Sequence, residues 1–371
     1  MKRIVRVGII LLLAFSSGLG CQAIKKLSTK PPEGLVHQNY AVRFSGYKQT
    51  VMVKATPEEL VAFLGDFRNW FNIPGAEIPT LEQGSQGQLS VGASFPLKVK
   101  KMGIEISGRM IIAKSSDEEL WVIFDNPRMM QVQRWRFEPA KAGTLLTINM
   151  ATESPETALT QVLETGGVVD QICKEIDYMI ARIQAHFDPS LNPDELVAGG
   201  LRGELYESFW QAEEISAWIN APSEKAIQVG LELDNVREIL SAGEVEGLGE
   251  CLFEPENRRK WEKGEEGEPI FCPIILKLAG LEIPTNSFTI IKPNDLQNFF
   301  TMYGVIMDTV FARLKLVGQP EKGGTRVQLI LAMEPIGPAP ELTDALVRFS
   351  ALPQWMEKII LGIKAKVEGK V

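Results

Sequence analysis

The chain carries an internal repeat, and this duplication limits the possible folds more than any other feature of the sequence. Four segments of the first half recur in the same order in the second half, as expected for a duplicated folding unit. The separation between matched residues grows from 166 at Glu58 and Glu224 to 183 at Leu159 and Leu342, as insertions in loops would produce. The matched pairs are VKATPEELVAFLGDFRNW with INAPSEKAIQV, KMGIEI with LAGLEI, GTLLTINMATESP with GTRVQLILAMEP, and LTQVL with LTDAL.

Two stretches without apolar periodicity lie outside the repeats. The first is polar and contains Pro31 and Pro32, and the second contains two prolines and three glycines, a composition typical of linkers. A chain of 371 residues is also longer than a single core usually requires. We therefore predict a signal segment at 1–21, a tether at 22–39, a first domain at 40–187, a linker at 188–204 and a second domain at 205–371.

Each repeat predicts the same order of elements. In the first copy a strand runs into a short helix, for which Thr56, Pro57 and Glu59 have the spacing of a capping box with proline in the first turn. Strands with alternating apolar residues follow. The polar residues Glu105, Ser107 and Arg109 alternate with apolar ones, which predicts that one face of the sheet is in water.

A long amphipathic helix closes each copy. Apolar residues recur at helical spacing from Val169 to Ile183 in the first copy and from Leu352 to Ile363 in the second. An antiparallel sheet that wraps around this last helix would bury the apolar face of both elements.

The pattern resembles the START-like superfamily (SRPBCC), the helix-grip fold of Bet v 1, lipid-transfer START domains and polyketide cyclases. The segments that carry the resemblance are VKATPEELVAFLGDFRNW, GTLLTINM and the terminal helix, each with its partner in the second copy. The resemblance implies an α+β fold with two helix-grip domains, each a curved antiparallel sheet around a long C-terminal helix. It also implies an internal cavity for an apolar small molecule. Asp234 and Asn235 replace the aromatic end of DFRNW in the second copy, so we expect the second domain to be the more structural one.

The first 21 residues have the features of a secretory signal. Lys2, Arg3 and Arg6 precede the short apolar run Val7 to Phe15, which is too short to span a bilayer. Cys21 follows small residues in the manner of bacterial lipoprotein signals, although Gly18 stands where those signals usually have leucine. We predict lipidation of Cys21 and a tether on the periplasmic side of a bacterial membrane; plain cleavage or an uncleaved anchor are the alternatives.

Charge and cysteine content limit the classes of partner. The formal net charge is −8, which argues against nucleic acid as a partner. The other cysteines, Cys173, Cys251 and Cys272, show no metal-binding spacing. Cys251 and Cys272 are interpreted as buried small side chains, and a disulfide between them is the alternative.

The residues assigned to the sheet and helix faces that point inward are the predicted cavity lining. Because an apolar stripe also forms ordinary packed core, this alternative stays open. Trp70 is assigned to the cavity mouth or to a helix anchor. The remaining predicted lining residues are Ile104, Ile106, Met110, Ile148, Met150, Ile176 and Met179 in the first domain, and Ile283, Leu329, Leu331, Met333, Trp355 and Ile359 in the second.

Catalytic and metal sites are not predicted. The only histidines are His37, in the predicted tether, and His186, at the end of the first long helix, positions that suit neither a Ser-His-Asp triad nor a multi-histidine metal site. We therefore predict a membrane-tethered periplasmic carrier for a lipid or another hydrophobic small molecule, without a cofactor. A cyclase-like or aromatase-like enzyme and a non-catalytic envelope interaction module are the two alternatives.

Overall fold

The computed structural model describes residues 34–65, 69, 76–77, 90–101, 104–126, 130–153, 168–200, 202–232, 234–235, 245–263, 269–278, 281–291, 300–335 and 352–369. The chain forms two compact units. The first unit is Arg43–Ser208, and the second unit is Phe209–Val371 with the chain up to Val42. Cys21 and Trp70 lie outside the described residues.

The first repeat supplies seven of the described strands and three of the described helices. The strands are β1 Leu35–Val53, β2 Ala76–Glu77, β3 Ser94–Lys101, β4 Ile104–Ser115, β5 Glu119–Asp125, β6 Met130–Ala140 and β7 Gly143–Glu153. The helices are α1 Pro57–Leu64, α2 Val168–Phe187 and α3 Pro193–Ala198.

The second repeat has the same order with two further short helices among the described residues. Its strands are β8 Glu204–Ile219, β9 Val245–Glu246, β10 Ile270–Leu278, β11 Leu281–Ile291, β12 Phe300–Ile306, β13 Val310–Glu321 and β14 Gly324–Met333. Its helices are α4 Ser223–Leu231, α5 Leu248–Leu252, α6 Pro255–Lys263 and α7 Leu352–Val367.

The prediction of two helix-grip domains with separate sheets is wrong. The described strands form one antiparallel sheet in the order β2-β3-β4-β5-β6-β7-β1-β8-β14-β13-β12-β11-β10-β9. The physical reason is strand length. β1 has 19 residues and β8 has 16, against about 5 or 6 for an ordinary strand. β1 begins at Leu35, inside the segment predicted to be an extended tether.

The prediction that one face of the sheet lies in water holds for only part of the described sheet. Ser107 is exposed, and most of β7 alternates between buried and partly exposed residues. In β5, however, six successive residues from Leu120 to Asp125 are buried, so side chains of both parities are excluded from water. In β14 of the second unit, Gln328 is buried and donates from Nε2 to Glu214 Oε1 at 2.6 Å. A strand buried on both faces loses the simple alternation of polar and apolar residues, as the run LWVIF of β5 does.

The predicted start of α1 is confirmed. Thr56 is the N-cap, and its Oγ1 accepts a hydrogen bond from the backbone N–H of Glu59 at 3.2 Å. The Glu59 carboxylate accepts from the backbone N–H of Thr56 at 2.8 Å. This reciprocal pairing satisfies donors that a helix start leaves unpaired.

Each unit has a hydrophobic core between its strands and its long helix. In the first unit Ile176, Ile180 and Ile183 of α2 pack against residues of β1 and β4–β7. In the second unit Trp355, Met356 and Ile360 of α7 belong to the corresponding cluster. Among the helices that the structure describes, none has both the length and the apolar character that a bilayer crossing requires.

Candidate functional site

The second unit contains a cavity of about 50 Å³, which we call the second-unit cavity. Residues of the strands β10–β14 line it on one side, and Trp355 and Met356 at the start of α7 line it on the other. It therefore lies between the sheet and the long helix of this unit.

A row of small side chains across three neighbouring strands makes room for the cavity. Ser287 of β11 pairs with Gly304 of β12, and Gly304 pairs with Ala312 of β13. Residues paired across antiparallel strands place their side chains on the same face, and neighbouring strands lie about 4.8 Å apart. The three residues thus form a strip about 10 Å wide, by two strand spacings, that carries little side-chain volume.

Larger apolar side chains surround this strip. Met302, Leu331 and Met333 line the cavity from β12 and β14, and Met356 lines it from α7. The cavity is smaller than the roughly 150 Å³ that holds a benzene ring. Methionine side chains are unbranched and adapt their shape readily, so three methionines in the wall allow the cavity to expand around an occupant.

Three of the lining residues carry a polar side-chain atom. Ser287 Oγ donates to the Cys272 carbonyl at 2.8 Å, and Thr285 Oγ1 donates to the Ile283 carbonyl at 3.4 Å. The indole Nε1 of Trp355 is buried and has no hydrogen-bond acceptor among the described residues. None of these polar atoms lies on the surface of the cavity, which is apolar.

A disulfide links a helix to the strand beside the cavity. Cys251 of α5 and Cys272 of β10 are bonded, with their Cα atoms 5.7 Å apart. This corrects the interpretation of the two residues as unlinked small side chains. Sequence spacing could not reveal the bond, because β10 and α5 come together only in the folded unit. Cys173 lies outside the disulfide.

Two carboxylates of the second unit face one histidine. His37 Nδ1 lies 3.3 Å from Glu213 Oε1 of β8, and His37 Nε2 lies 3.3 Å from Glu357 Oε1 of α7. The second contact lacks hydrogen-bond geometry. Glu213 is buried. The imidazole of His37 therefore lies between this buried carboxylate and the carboxylate of Glu357. This arrangement ties α7, which supplies a wall of the cavity, to the sheet.

The first unit has a buried polar cluster on the inner side of β1. The Tyr47 hydroxyl donates to Asp177 Oδ1 of α2, and it accepts from the Gly203 backbone N–H at 2.9 Å. Gln49 Oε1 lies 3.1 Å from the same hydroxyl. Burial and the hydrogen bond with Asp177 raise the pKa of Tyr47 well above its usual range. Burial also raises the pKa of Asp177, although the Tyr47 hydrogen bond and Arg202 oppose the shift.

The structure brings together only part of the predicted cavity lining. Leu331, Met333 and Trp355 line the second-unit cavity, whereas Ile283 and Leu329 belong to the core of the same unit and Ile359 packs against it. In the first unit, Met110, Ile148, Met150 and Ile176 are core residues and Met179 packs against them. Ile104 and Ile106 lie in β4, but their side chains are outside the description.

Sequence reasoning missed Ser287, Gly304 and Ala312, because it looked for large inward side chains. The available signal was the glycine inside the run FTMYGVI. A glycine within a strand weakens the strand and often marks a place that another group approaches closely.

No protein-family model matches the chain, and no curated protein matches it. Solved structures do. The di-domain ARO/CYC StfQ from the steffimycin biosynthetic pathway is 13% identical, over 87% of this chain and 98% of StfQ, with a TM-score of 0.33. The di-domain ARO/CYC BexL from the BE-7585A biosynthetic pathway is 12% identical over the same shares, also with a TM-score of 0.33.

A START-superfamily protein from Mycobacterium smegmatis is 15% identical, over 39% of this chain and 99% of that protein, with a TM-score of 0.27. The chain is thus similar to di-domain ARO/CYC and START-superfamily structures. At these identities and TM-scores the likeness does not assign a function to the chain.

Proposed function

We propose that the chain binds a hydrophobic small molecule in the second-unit cavity and acts as a carrier. The observation that supports this proposal is the strip of small side chains at Ser287, Gly304 and Ala312, enclosed by Met302, Met333 and Met356. An adaptable apolar enclosure with few polar groups is typical of small-molecule sites. A binding role is favoured over catalysis because the described lining residues supply shape and apolar contact but no titratable side chain.

Native mass spectrometry tests the proposal directly. The chain is purified without added detergent, weighed under native and denaturing conditions, and extracted with organic solvent. A near-stoichiometric apolar molecule supports the carrier function. A ligand-free mass, together with no uptake of a hydrophobic dye, contradicts it.

A matched pair of variants locates the bound molecule. Ala312→Leu adds volume inside the cavity, whereas Ala198→Leu adds the same volume at an exposed position on α3. We expect the bound molecule to be lost from Ala312→Leu and kept by Ala198→Leu. Equal occupancy in both variants would place the ligand elsewhere.

We further propose that this carrier is anchored through a lipidated Cys21 on the periplasmic side of a membrane. The support is the order of charged, apolar and small residues before Cys21. Acyl chains contribute about 0.8 kcal/mol for each buried methylene, so several chains hold a protein firmly. Fractionation of Cys21→Ser tests the anchor, because continued recovery in the membrane fraction would exclude lipidation as its cause.

A further inference from the structure

The first described strand segment of the second unit is held by few side-chain contacts. The chain up to Val42 belongs to this unit, and we call its residues Leu35–Val42 the N-terminal strap. Most strap side chains are exposed, but Leu35 packs against the core of the second unit and the His37 side chain is only 20% exposed. A segment with few buried contacts opens more easily than the core beneath it. Leu35 and His37 are therefore the main side-chain attachments of the strap.

The His37 imidazole joins the strap to both layers of the second unit. Its Nδ1 lies 3.3 Å from Glu213 Oε1 of β8, and its Nε2 lies 3.3 Å from Glu357 Oε1 of α7. Glu213 is buried and Glu357 is partly buried, so salt and water screen this group of charges only in part. Without the imidazole the two carboxylates would have no donor between them, and like charges repel. His37 thus holds the long helix to the sheet.

The chain meets α7 again two turns further along the helix. A Cβ atom on Gly34, the residue before the strap, would lie 3.6 Å from Lys364 Nζ. Glu357 and Lys364 are seven residues apart in α7, which corresponds to about 10 Å along a helix axis. The N-terminal strap and Gly34 therefore run beside α7 over about two helical turns rather than touching it at one point.

The attachment at Glu357 lies next to the cavity wall. Trp355 and Met356 line the second-unit cavity, and Glu357 is the next residue of α7. Because each helical residue advances about 1.5 Å, the His37 contact lies within about 3 Å of both lining residues along the helix axis. Packed helices shift as rigid elements, so a displacement at Glu357 also displaces this wall of the cavity.

We propose that the N-terminal strap holds α7 against the sheet through His37, and that this hold sets how fast a ligand leaves the second-unit cavity. His37 is a positioning residue, since it acts on the cavity through Glu357 and touches no ligand itself. The inference rests on the proposed function, because it concerns the ligand of the same cavity. The strap directly follows residues 22–34, which join it to the proposed anchor at Cys21, so a pull on that part of the chain reaches the cavity wall through His37.

Ligand release and helix opening are measured on the full chain with a matched pair of variants. His37→Ala removes the imidazole, whereas Gln38→Ala shortens the neighbouring exposed side chain of the strap. The probe is fluorobenzene, whose dissociation rate is measured by ¹⁹F exchange NMR. We expect His37→Ala to release fluorobenzene about fivefold faster, the lower end of the usual coupling between two sites, and to accelerate hydrogen exchange in α7. Gln38→Ala should leave both rates unchanged.

Further variants test whether His37 acts through Glu357. Glu357→Ala should also speed release, and the double variant should release fluorobenzene no faster than His37→Ala alone, because both changes break the same link. Additive effects would mean that the two residues act separately, which would overturn the proposal. His37→Gln should restore slow release, since its amide group can donate two hydrogen bonds.

The outcomes distinguish the strap from the proposed function. Unchanged release and unchanged hydrogen exchange of α7 in His37→Ala would overturn the strap and leave hydrophobic binding intact. Equal acceleration in Gln38→Ala would overturn the role of His37. If neither the unchanged chain nor any variant binds fluorobenzene or a hydrophobic dye, the proposed function fails together with the control of release. Hydrogen exchange then still decides whether the strap holds α7, because that measurement needs no ligand.

Discussion

Equivalent strand pairs of the two units carry side chains of very different size. In the first unit Met110 of β4 pairs with Phe124 of β5, and both side chains are core residues. In the second unit Ser287 of β11 pairs with Gly304 of β12, and both line a cavity. The repeat has therefore kept the strand pairing while the side-chain volume has changed, so that this pair of positions is packed core in one unit and lines a cavity in the other.

A neighbouring position shows the same exchange in detail. A Cβ atom on Gly108 would lie 2.5 Å from the ring of Phe124, whereas a Cβ atom on Gly304 would lie 3.3 Å from Thr285 Cγ2. The first unit thus places its glycine beneath a large ring, and the second places its glycine opposite a threonine. We expected the second copy to be the structural one, yet it contains the described cavity.

The polar contact between sheet and long helix also differs. In the first unit a Tyr47 hydroxyl meets the Asp177 carboxyl. In the second unit two carboxylates, Glu213 and Glu357, lie on either side of His37. A hydrogen bond between tyrosine and a carboxyl group therefore joins the sheet to α2, while an imidazole between two carboxylates lies between the sheet and α7.

The largest expected loss of stability comes from removing the ring of Phe124 from the core of the first unit. Phe124→Ala removes a buried ring from the first unit and should lower the free energy of unfolding by about 3–5 kcal/mol. Urea unfolding measures the loss, and Phe209→Ala, at an exposed position, should change it by less than about 0.5 kcal/mol. A loss below about 1 kcal/mol for Phe124→Ala would mean that the ring does not fill the first unit.

Loss of the disulfide should destabilise only the second unit. Replacing both Cys251 and Cys272 by alanine opens a loop with a sequence separation of 21, which should cost about 3 kcal/mol. Hydrogen exchange should then accelerate in β10 and its neighbours rather than in β3–β7. Cys173→Ala is the control. Equal acceleration in both units would show that they do not unfold separately.

The buried acid of the first unit should make stability fall as pH rises. Because the pKa of Asp177 is raised from 3.8, the folded protein keeps a proton that the unfolded chain releases. The contribution is complete below about pH 4 and is lost as pH rises through the folded pKa. Asp177→Asn should flatten this decline in thermal unfolding curves taken at successive pH values. An unchanged slope would mean that Asp177 does not cause it.

The smallest effect on stability is expected from a substitution of Gly304 in the second unit. Gly304→Ala adds one methyl group to the cavity, 3.3 Å from Thr285 Cγ2; this tight contact should lower the free energy of unfolding by about 1 kcal/mol, and ligand uptake should fall. Gly230→Ala on α4, where the added Cβ atom meets ordinary contacts at 3.4 Å, should leave uptake unchanged. Equal ligand uptake by both variants would mean that Gly304 does not border the ligand site.

Local signals predicted local structure well. The spacing of Thr56, Pro57 and Glu59 located the start of α1 to the residue, because capping depends on atoms only three positions apart. The predicted lining residues Leu331, Met333 and Trp355 lie at the cavity, since periodicity identifies the face of a strand or helix. The disulfide, the extension of β1 into the predicted tether and the single sheet were not predicted, because each depends on which distant segments pair.

The sequence by itself determined that the chain is a repeat, where α1 begins and which residues of the long helices face the core. These properties depend on residues close together in the chain or on a comparison of the chain with itself. Only the tertiary structure decided where the second-unit cavity lies. Cavity volume depends on the side chains that register places side by side, and Ser287, Gly304 and Ala312 become neighbours only when three strands pair.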